Sequence, residues 1–326
     1  MGATDGKPGC FVGVDLGGTK ILAGLFDSGL ALRGTAKMTT KPQRGPEAVL
    51  ERVARCVRDA VDEADLTMDQ VRGVGLGVPG TVDSVLGRVI FAPNLGWREL
   101  ALKPALEKLL GVPVWIANDC NIAVLGVQVS ELKNKPRNVL GIFIGTGIGG
   151  GLILEGELYS GAAHTAGEVG HMVLQMNGPK CGCGGHGCFE ALASRIAMIQ
   201  RIKAAVQEGQ KTVLTEILED LDRLRSGDLR KAFRRGDKLT QRVVEDAARY
   251  AGLAVANLAN LLNPEVIVLG GGIIEALGDE MLGIILQTVK DHTMSGVMAG
   301  VEIRVSTLGD HAAITGGAVL AKRFAP

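Results

Sequence analysis

The sequence carries no surplus of either charge: 35 Lys and Arg stand against 35 Asp and Glu. A protein that held nucleic acid through phosphate charge alone would need a basic excess or patch, so no nucleic-acid partner is expected. No uncharged apolar run approaches the roughly 18 residues of a membrane span, so no membrane partner is expected either. Residues 1–9 are polar and lack the apolar segment of a secretory signal, which makes the cytoplasm the expected compartment. Proline is scarce, at 11 residues, and glycine follows no G-X-Y period, which excludes collagen-like and low-complexity chains. Six cysteines are too few to staple a chain of 326 residues. Three of them, Cys181, Cys183 and Cys188, crowd into one short segment, which reads as metal binding rather than disulfides in a chain without a secretory signal.

Apolar residues and glycine are plentiful. At 46% hydrophobic and 21% charged, the chain can bury a sizeable core, and its length suits two lobes. Glycine reaches 47 residues, roughly twice ordinary usage. Strand-like runs at 11–16, 21–26 and 31–38 precede a helical stretch at 46–64, whose Val49, Val53, Val57 and Val61 share one face. Apolar strands at 73–78 and 112–116 follow, and a helix begins at Asn118. A second pass of the same grammar starts at Asn138, with strands at 139–144 and 151–154 around a glycine loop. Long helices come next, then a strand at 266–269, a helix to Lys290, a strand at 301–305 and a last helix from His311. The two passes suggest a duplicated α/β unit. The expected division is an N-terminal lobe over 1–130, with helix 311–326 packing back on it, and a larger C-terminal lobe over 131–310. Within that lobe, 201–250 holds 12 basic and 9 acidic residues and reads as a solvent-exposed helical insertion.

Two of the glycine loops imitate well-known motifs. Gly13 to Lys20 reads G-x-x-x-x-G-T-K, one residue away from a Walker A loop, but a β-branched strand follows where a helix is required. Gly145 to Gly150 reads G-x-G-x-x-G, but it too opens a hairpin, not the helix that would receive a pyrophosphate. Backbone N–H groups in two such turns can cradle phosphates without a helix dipole, and Gly270-Gly271-Gly272 can let a nucleoside lie against backbone. Asp15–Lys20, Gly145–Gly151 and Leu269–Ile273 resemble the first phosphate, second phosphate and adenosine motifs of the sugar kinase–actin–Hsp70 superfamily. The resemblance implies an α/β fold of two ribonuclease-H-like lobes, as in actin-like ATPases, with ATP in a cleft between them. It also implies that Asp15 faces the Mg²⁺–phosphate unit. Gly17, Gly18, Thr19, Lys20, Gly145, Thr146, Gly147, Gly149, Gly150, Gly270, Gly271 and Gly272 would surround the nucleotide.

Cys181, Cys183 and Cys188 sit in a glycine-rich knuckle ten residues after His171. Three thiolates and one imidazole suit a closed tetrahedral Zn²⁺ site. His186 is a competing imidazole, but it lies inside the turn and His171 is favoured. Glu168-x-x-His171, followed by C-x-C-G-x-x-G-C-x-E from Cys181 to Glu190, resembles the signature of the ROK family of repressors and sugar kinases. With the nucleotide motifs the resemblance spans roughly residues 11–320. It implies that the Zn²⁺ is structural and shapes a sugar pocket.

Asn118-Asp119 follows a strand and begins a helix, so position alone favours a capping role for one of them. The resemblance implies instead that Asp119 is the catalytic base, accepting the proton of a hexose 6-hydroxyl. It implies that Asn118, Glu168, His171 and Glu190 contact the sugar. Gly80, in a loop resembling a pocket lining, and Asn94 join them, although a turn role suits Asn94 equally. His171 would use one ring nitrogen for zinc and turn the other to the sugar or Glu190. The activity implied is ATP-dependent phosphorylation of a hexose, glucose first, with Ala166-Gly167-Glu168 lacking the proline common in the fructokinase branch. N-acetylmannosamine and N-acetylglucosamine kinases remain alternatives. Sugar-responsive repressors of the family carry an N-terminal helix-turn-helix, and a first phosphate strand near residue 11 leaves no room for one. A homodimer is the family's usual form.

Overall fold

The computed structural model describes residues 9–325. The first pass of the chain begins with β1 (Cys10–Leu16), β2 (Lys20–Phe26) and β3 (Leu32–Thr39), which pair as consecutive antiparallel hairpins. It continues through α1 (Pro46–Asp62), β4 (Val71–Val78), β5 (Thr81–Asp83), β6 (Arg88–Ala92) and β7 (Trp97–Leu100). It closes with α2 (Leu102–Leu110), β8 (Val114–Asn118) and α3 (Asp119–Ser130). The second pass opens on β9 (Val139–Ile144), β10 (Ile148–Leu154) and β11 (Glu157–Leu158). Helices α4 (Phe189–Ala193), α5 (Arg195–Gln207), α6 (Leu214–Ile217), α7 (Ser226–Arg234) and α8 (Lys238–Leu262) follow. Then come β12 (Val266–Gly270), α9 (Gly272–His292), β13 (Glu302–Val305) and α10 (His311–Phe324).

The duplication read from element order is repeated in the sheets. One runs β3-β2-β1-β4-β8 and the other β11-β10-β9-β12-β13, so in each the first strand lies at the centre, between the second and the fourth. β1, β4 and β8 are parallel to one another, as are β9, β12 and β13. A third, antiparallel sheet, β5-β6-β7, was not expected from the sequence. Its strands are three to five residues long, too short for an alternation to stand out.

The residues cluster into two compact units. One holds the chain up to Arg137, Gly151–Gly167 and the chain from Asp310; the other holds Asn138–Gly150 and Glu168–Gly309. The first unit thus runs past the expected limit at 130 and includes 151–167, which the sequence places in the second lobe. In the first unit, α1 covers β2 and β3 with its apolar stripe, Val49, Val53, Val57 and Val61, all fully buried. Pro46 starts that helix, where its missing N–H costs nothing.

α10 packs on β1, β4 and α3, and several glycines without a motif find their purpose there. A Cβ at Gly13 would overlap the carbonyl of Ile314, and one at Gly75 that of Gly317. Gly126 and Gly316 meet the carbonyls of Ala312 and Ile122 in the same way. Backbone approaches backbone at these points, so any side chain would push the helix off its seat.

In the second unit, the charged segment 201–250 is helical, but it is not merely a solvated face. Leu229, Ala232, Leu239, Val243, Val244 and Ala247 are buried, and α7 and α8 both pack on α9. Most of its charges occupy the outer faces of amphipathic helices, which dilutes the apolar signal in a composition count, while Asp237 is buried as the cap of α8. Among the described residues, no helix is long and apolar enough to cross a membrane.

Candidate active site

In the first unit, β1 delivers Asp15 to the turn that begins β2. Gly17 N–H donates to Lys20 O at 2.8 Å, and Thr40 braces the turn by donating from its hydroxyl to Gly17 O at 2.6 Å. The hairpin that excluded a Walker loop is present, since Lys20 is the first residue of β2. Lys20 pairs with Asp310, the residue before α10. Asn94 lies exposed in a 3-10 turn against Gly18, whose added Cβ would come 3.3 Å from the Asn94 Cβ.

The ambiguity at Asn118-Asp119 resolves in favour of Asn118 as the cap. Its Oδ1 accepts from Cys120 N–H at 2.9 Å and Asn121 N–H at 3.2 Å, while its Nδ2 donates to Gly80 O at 3.1 Å. Gly80, at φ +95°, packs so tightly on β6 that a Cβ would overlap Phe91 O. Asp119 takes the first position of α3 and is half-buried, with Oδ1 accepting from Cys120 N–H at 2.8 Å. Loss of hydration pushes its carboxyl above the usual carboxylate range. Asp15 is pushed up to about 7, by burial first and by the charge of Asp119 second. Burial thus raises the proton affinity of both carboxyls, and the charge of Asp119 raises that of Asp15 further.

In the second unit, the Gly145–Gly147 turn links β9 to β10, with Gly145 N–H donating to Gly147 O at 2.8 Å. Again a strand follows, as the rejection of a dinucleotide fingerprint requires. Gly149 and Gly150 lie inside β10 rather than in the turn itself. Thr146 is exposed at the tip. Helices α4 and α5 fasten this turn at both ends. Glu190 Oε2 accepts from Ile148 N–H at 2.8 Å, and a Cβ on Gly147 would collide with that oxygen. Arg195 N–H donates to Gly145 O at 3.0 Å, and its Nη2 donates to Thr146 Oγ1 at 2.7 Å. The third glycine cluster stands beside the turn. Gly270 ends β12, Gly271 precedes α9 at φ +87°, and the N–H of Gly272 lies 3.9 Å from where a Gly145 Cβ would sit.

His171, Cys181, Cys183 and Cys188 offer four ligand atoms that all lie within 4.8 Å of one another. Cys181 Sγ is 3.7 Å from His171 Nδ1 and Cys183 Sγ is 3.8 Å from Cys188 Sγ. A tetrahedral ion with metal–sulfur bonds of about 2.3 Å would set its sulfurs roughly 3.8 Å apart, so the donors fit such an ion. His186 is not part of the cluster. His171 Nε2 faces Glu168, 3.9 Å away, rather than Glu190. Glu190 instead spans from the turn to the knuckle, with Oε1 3.9 Å from Cys181 Sγ. The knuckle passes directly into α4, because Cys188 is the residue before that helix.

Arg195 and Asp310 were not singled out by the sequence. Each is a single charged residue at a helix start, and the partner that gives it meaning is distant in the chain.

The ROK family model matches residues 11–324. The chain belongs to the ROK family. It is 34% identical to a glucokinase of Halalkalibacterium halodurans over 96% of this chain and 95% of that protein. A putative xylose repressor of Caldicellulosiruptor is 31% identical over 94% of this chain but only 77% of that protein. The structure of a ROK family glucokinase from Streptomyces griseus, in complex with glucose and AMPPNP, superposes with a TM-score of 0.83 at 32% identity, covering 97% of this chain and all of that one. The fold of this ROK protein is therefore the α/β actin-like ATPase fold of the sugar kinases.

Proposed function

We propose that this ROK protein transfers the terminal phosphoryl group of ATP to the 6-hydroxyl of a hexose, glucose before others. The observation that carries the reading is Asp119, a carboxyl with raised proton affinity beside Asp15, in a chain that matches a glucokinase over nearly the whole of both proteins. Asp119 accepts the proton as the 6-oxygen attacks the γ-phosphorus, while the bond to the bridging oxygen of ADP breaks. Asp15 orients the magnesium–nucleotide unit, and the turns at Gly17–Lys20 and Gly145–Thr146 hold phosphates through backbone N–H groups. Mg²⁺, when bound with ATP, neutralises charge on the phosphate oxygens. Gly270–Gly272 supports the nucleoside. Asn94, Glu168, His171 and Glu190 line the sugar, together with whatever donor Asn118 retains beyond its cap and its bond to Gly80.

His171, Cys181, Cys183 and Cys188 would hold Zn²⁺ in a closed, structural site. Tethering Glu168 and Glu190 to one knuckle is the service that site gives to catalysis. The protein works as a homodimer in the cytoplasm on this reading. A sugar-responsive regulator is the second reading, favoured by the similarity to xylose repressors, of which this chain covers 76–77%. A coupled ADP-release assay over glucose, mannose, allose, fructose and the N-acetylhexosamines decides between them. Hexose-dependent release, fastest with glucose, is expected; release with none of these sugars would overturn the kinase reading.

A further inference from the structure

Arg195 occupies the first position of α5, after Ser194, whose hydroxyl caps the helix by accepting from Ala197 N–H at 3.2 Å. Two bonds fix it to the second glycine turn: its backbone N–H to Gly145 O at 3.0 Å, and its Nη2 to Thr146 Oγ1 at 2.7 Å. The turn's other fastening, Glu190, spends its charge elsewhere, on Ile148 N–H. Among the described residues, no carboxylate lies within ion-pair distance of the Arg195 guanidinium. A cation held at a turn of glycine amides therefore has one neutral partner, and most of its five N–H donors remain to be used. A planar guanidinium in this state is built for phosphate oxygens, which it can meet with two parallel bonds.

Resting on the kinase reading, we infer that Arg195 is a ligand of the terminal phosphates of the phosphoryl donor, with Thr146 holding its guanidinium in place. The group recognised is a chain of phosphates, which ATP and inorganic tripolyphosphate both supply. A merely structural peg for Thr146 would need a hydrogen-bond donor and no charge, and the two roles separate experimentally.

Calorimetric titration of the intact protein with AMPPNP, adenosine and tripolyphosphate, on wild type, Arg195→Gln and Arg195→Lys, provides the test. Gln keeps a donor for Thr146 and removes the charge; Lys keeps the charge. We expect AMPPNP to bind about tenfold or more weakly to the Gln variant, the loss of a charge-assisted bond. Adenosine should bind within about twofold of wild type, and Lys, which keeps the charge but not the planar fork, should recover only part of the loss. Tripolyphosphate binding that is lost in the Gln variant would mark the phosphate chain as sufficient; binding to AMPPNP alone would mark the nucleoside as also required. Both agree with a phosphate ligand. Unchanged AMPPNP affinity in the Gln variant, or equal losses for AMPPNP and adenosine, would overturn the inference. Hexose-dependent ADP release by the wild type tests the kinase reading separately.

Discussion

Glu190 Oε2 accepts the N–H of Ile148 at 2.8 Å, so a residue that follows the cysteine knuckle by two positions holds the glycine turn at the start of β10. Ile148 is buried, and an unpaired N–H there would cost on the order of 1–3 kcal/mol. Replacing Glu190 by Ala should therefore raise the KM for ATP by about 5- to 100-fold, in addition to any effect on the hexose. Gln retains a carbonyl acceptor and should shift the ATP term much less. Steady-state kinetics with each substrate varied in turn will separate the two. Equal ATP constants for wild type, Ala and Gln would show that the bond does not shape the nucleotide site.

The same connection would carry the effect of a metal held by His171, Cys181, Cys183 and Cys188 beyond their own knuckle. Chelation, or Cys183→Ser, should remove the bound metal and lower the melting temperature. It should also speed hydrogen exchange in the peptides covering 145–150 and 186–195, because α4 loses the anchor that precedes it. Metal analysis, thermal melts and exchange mass spectrometry check each part. A metal-free protein with unchanged exchange at 145–150 would confine the metal's role to the knuckle.

Asp15 sets a pH dependence of stability. Its carboxyl is pushed up to about 7 in the folded protein, by burial first and Asp119 second, with Lys20 opposing. An unfolded Asp releases its proton near 3.9. Between those values the folded state holds a proton that the unfolded state has lost, so this contribution is complete at low pH and disappears as pH rises through about 7. Asp15→Asn, which cannot ionise, should raise the melting temperature of the nucleotide-free protein at pH 8 and change it little at pH 4. Parallel melts at the two values check this; an equal shift at both would contradict it.

Motifs formed by neighbours in the chain were legible. The two glycine turns, the Gly270–Gly272 cluster and the Cys–His knuckle each sit within a short stretch, so their spacing alone displays them. Residues whose role depends on a distant partner were not. Gly13 needs no side chain only because Ile314 arrives on α10, and no local pattern announces that approach. Arg195 and Glu190 meet the turn at 145–148 from more than 40 residues away. Asn118 and Asp119 are equal candidates for a cap until the amide of Asn118 is seen to accept from two N–H groups. The small sheet of β5, β6 and β7 escaped notice because its strands are too brief to display a period.

The proposed transfer of a hexose hydroxyl proton to Asp119 is checked by a single substitution that keeps the side chain's shape and removes its basicity. Hexose-dependent ADP release should be measured for Asp119→Asn beside wild type, with glucose and AMPPNP affinities determined on the same preparations. Turnover should fall by about 10²–10⁴ while both ligands still bind. Turnover near the wild-type rate in that variant would contradict it.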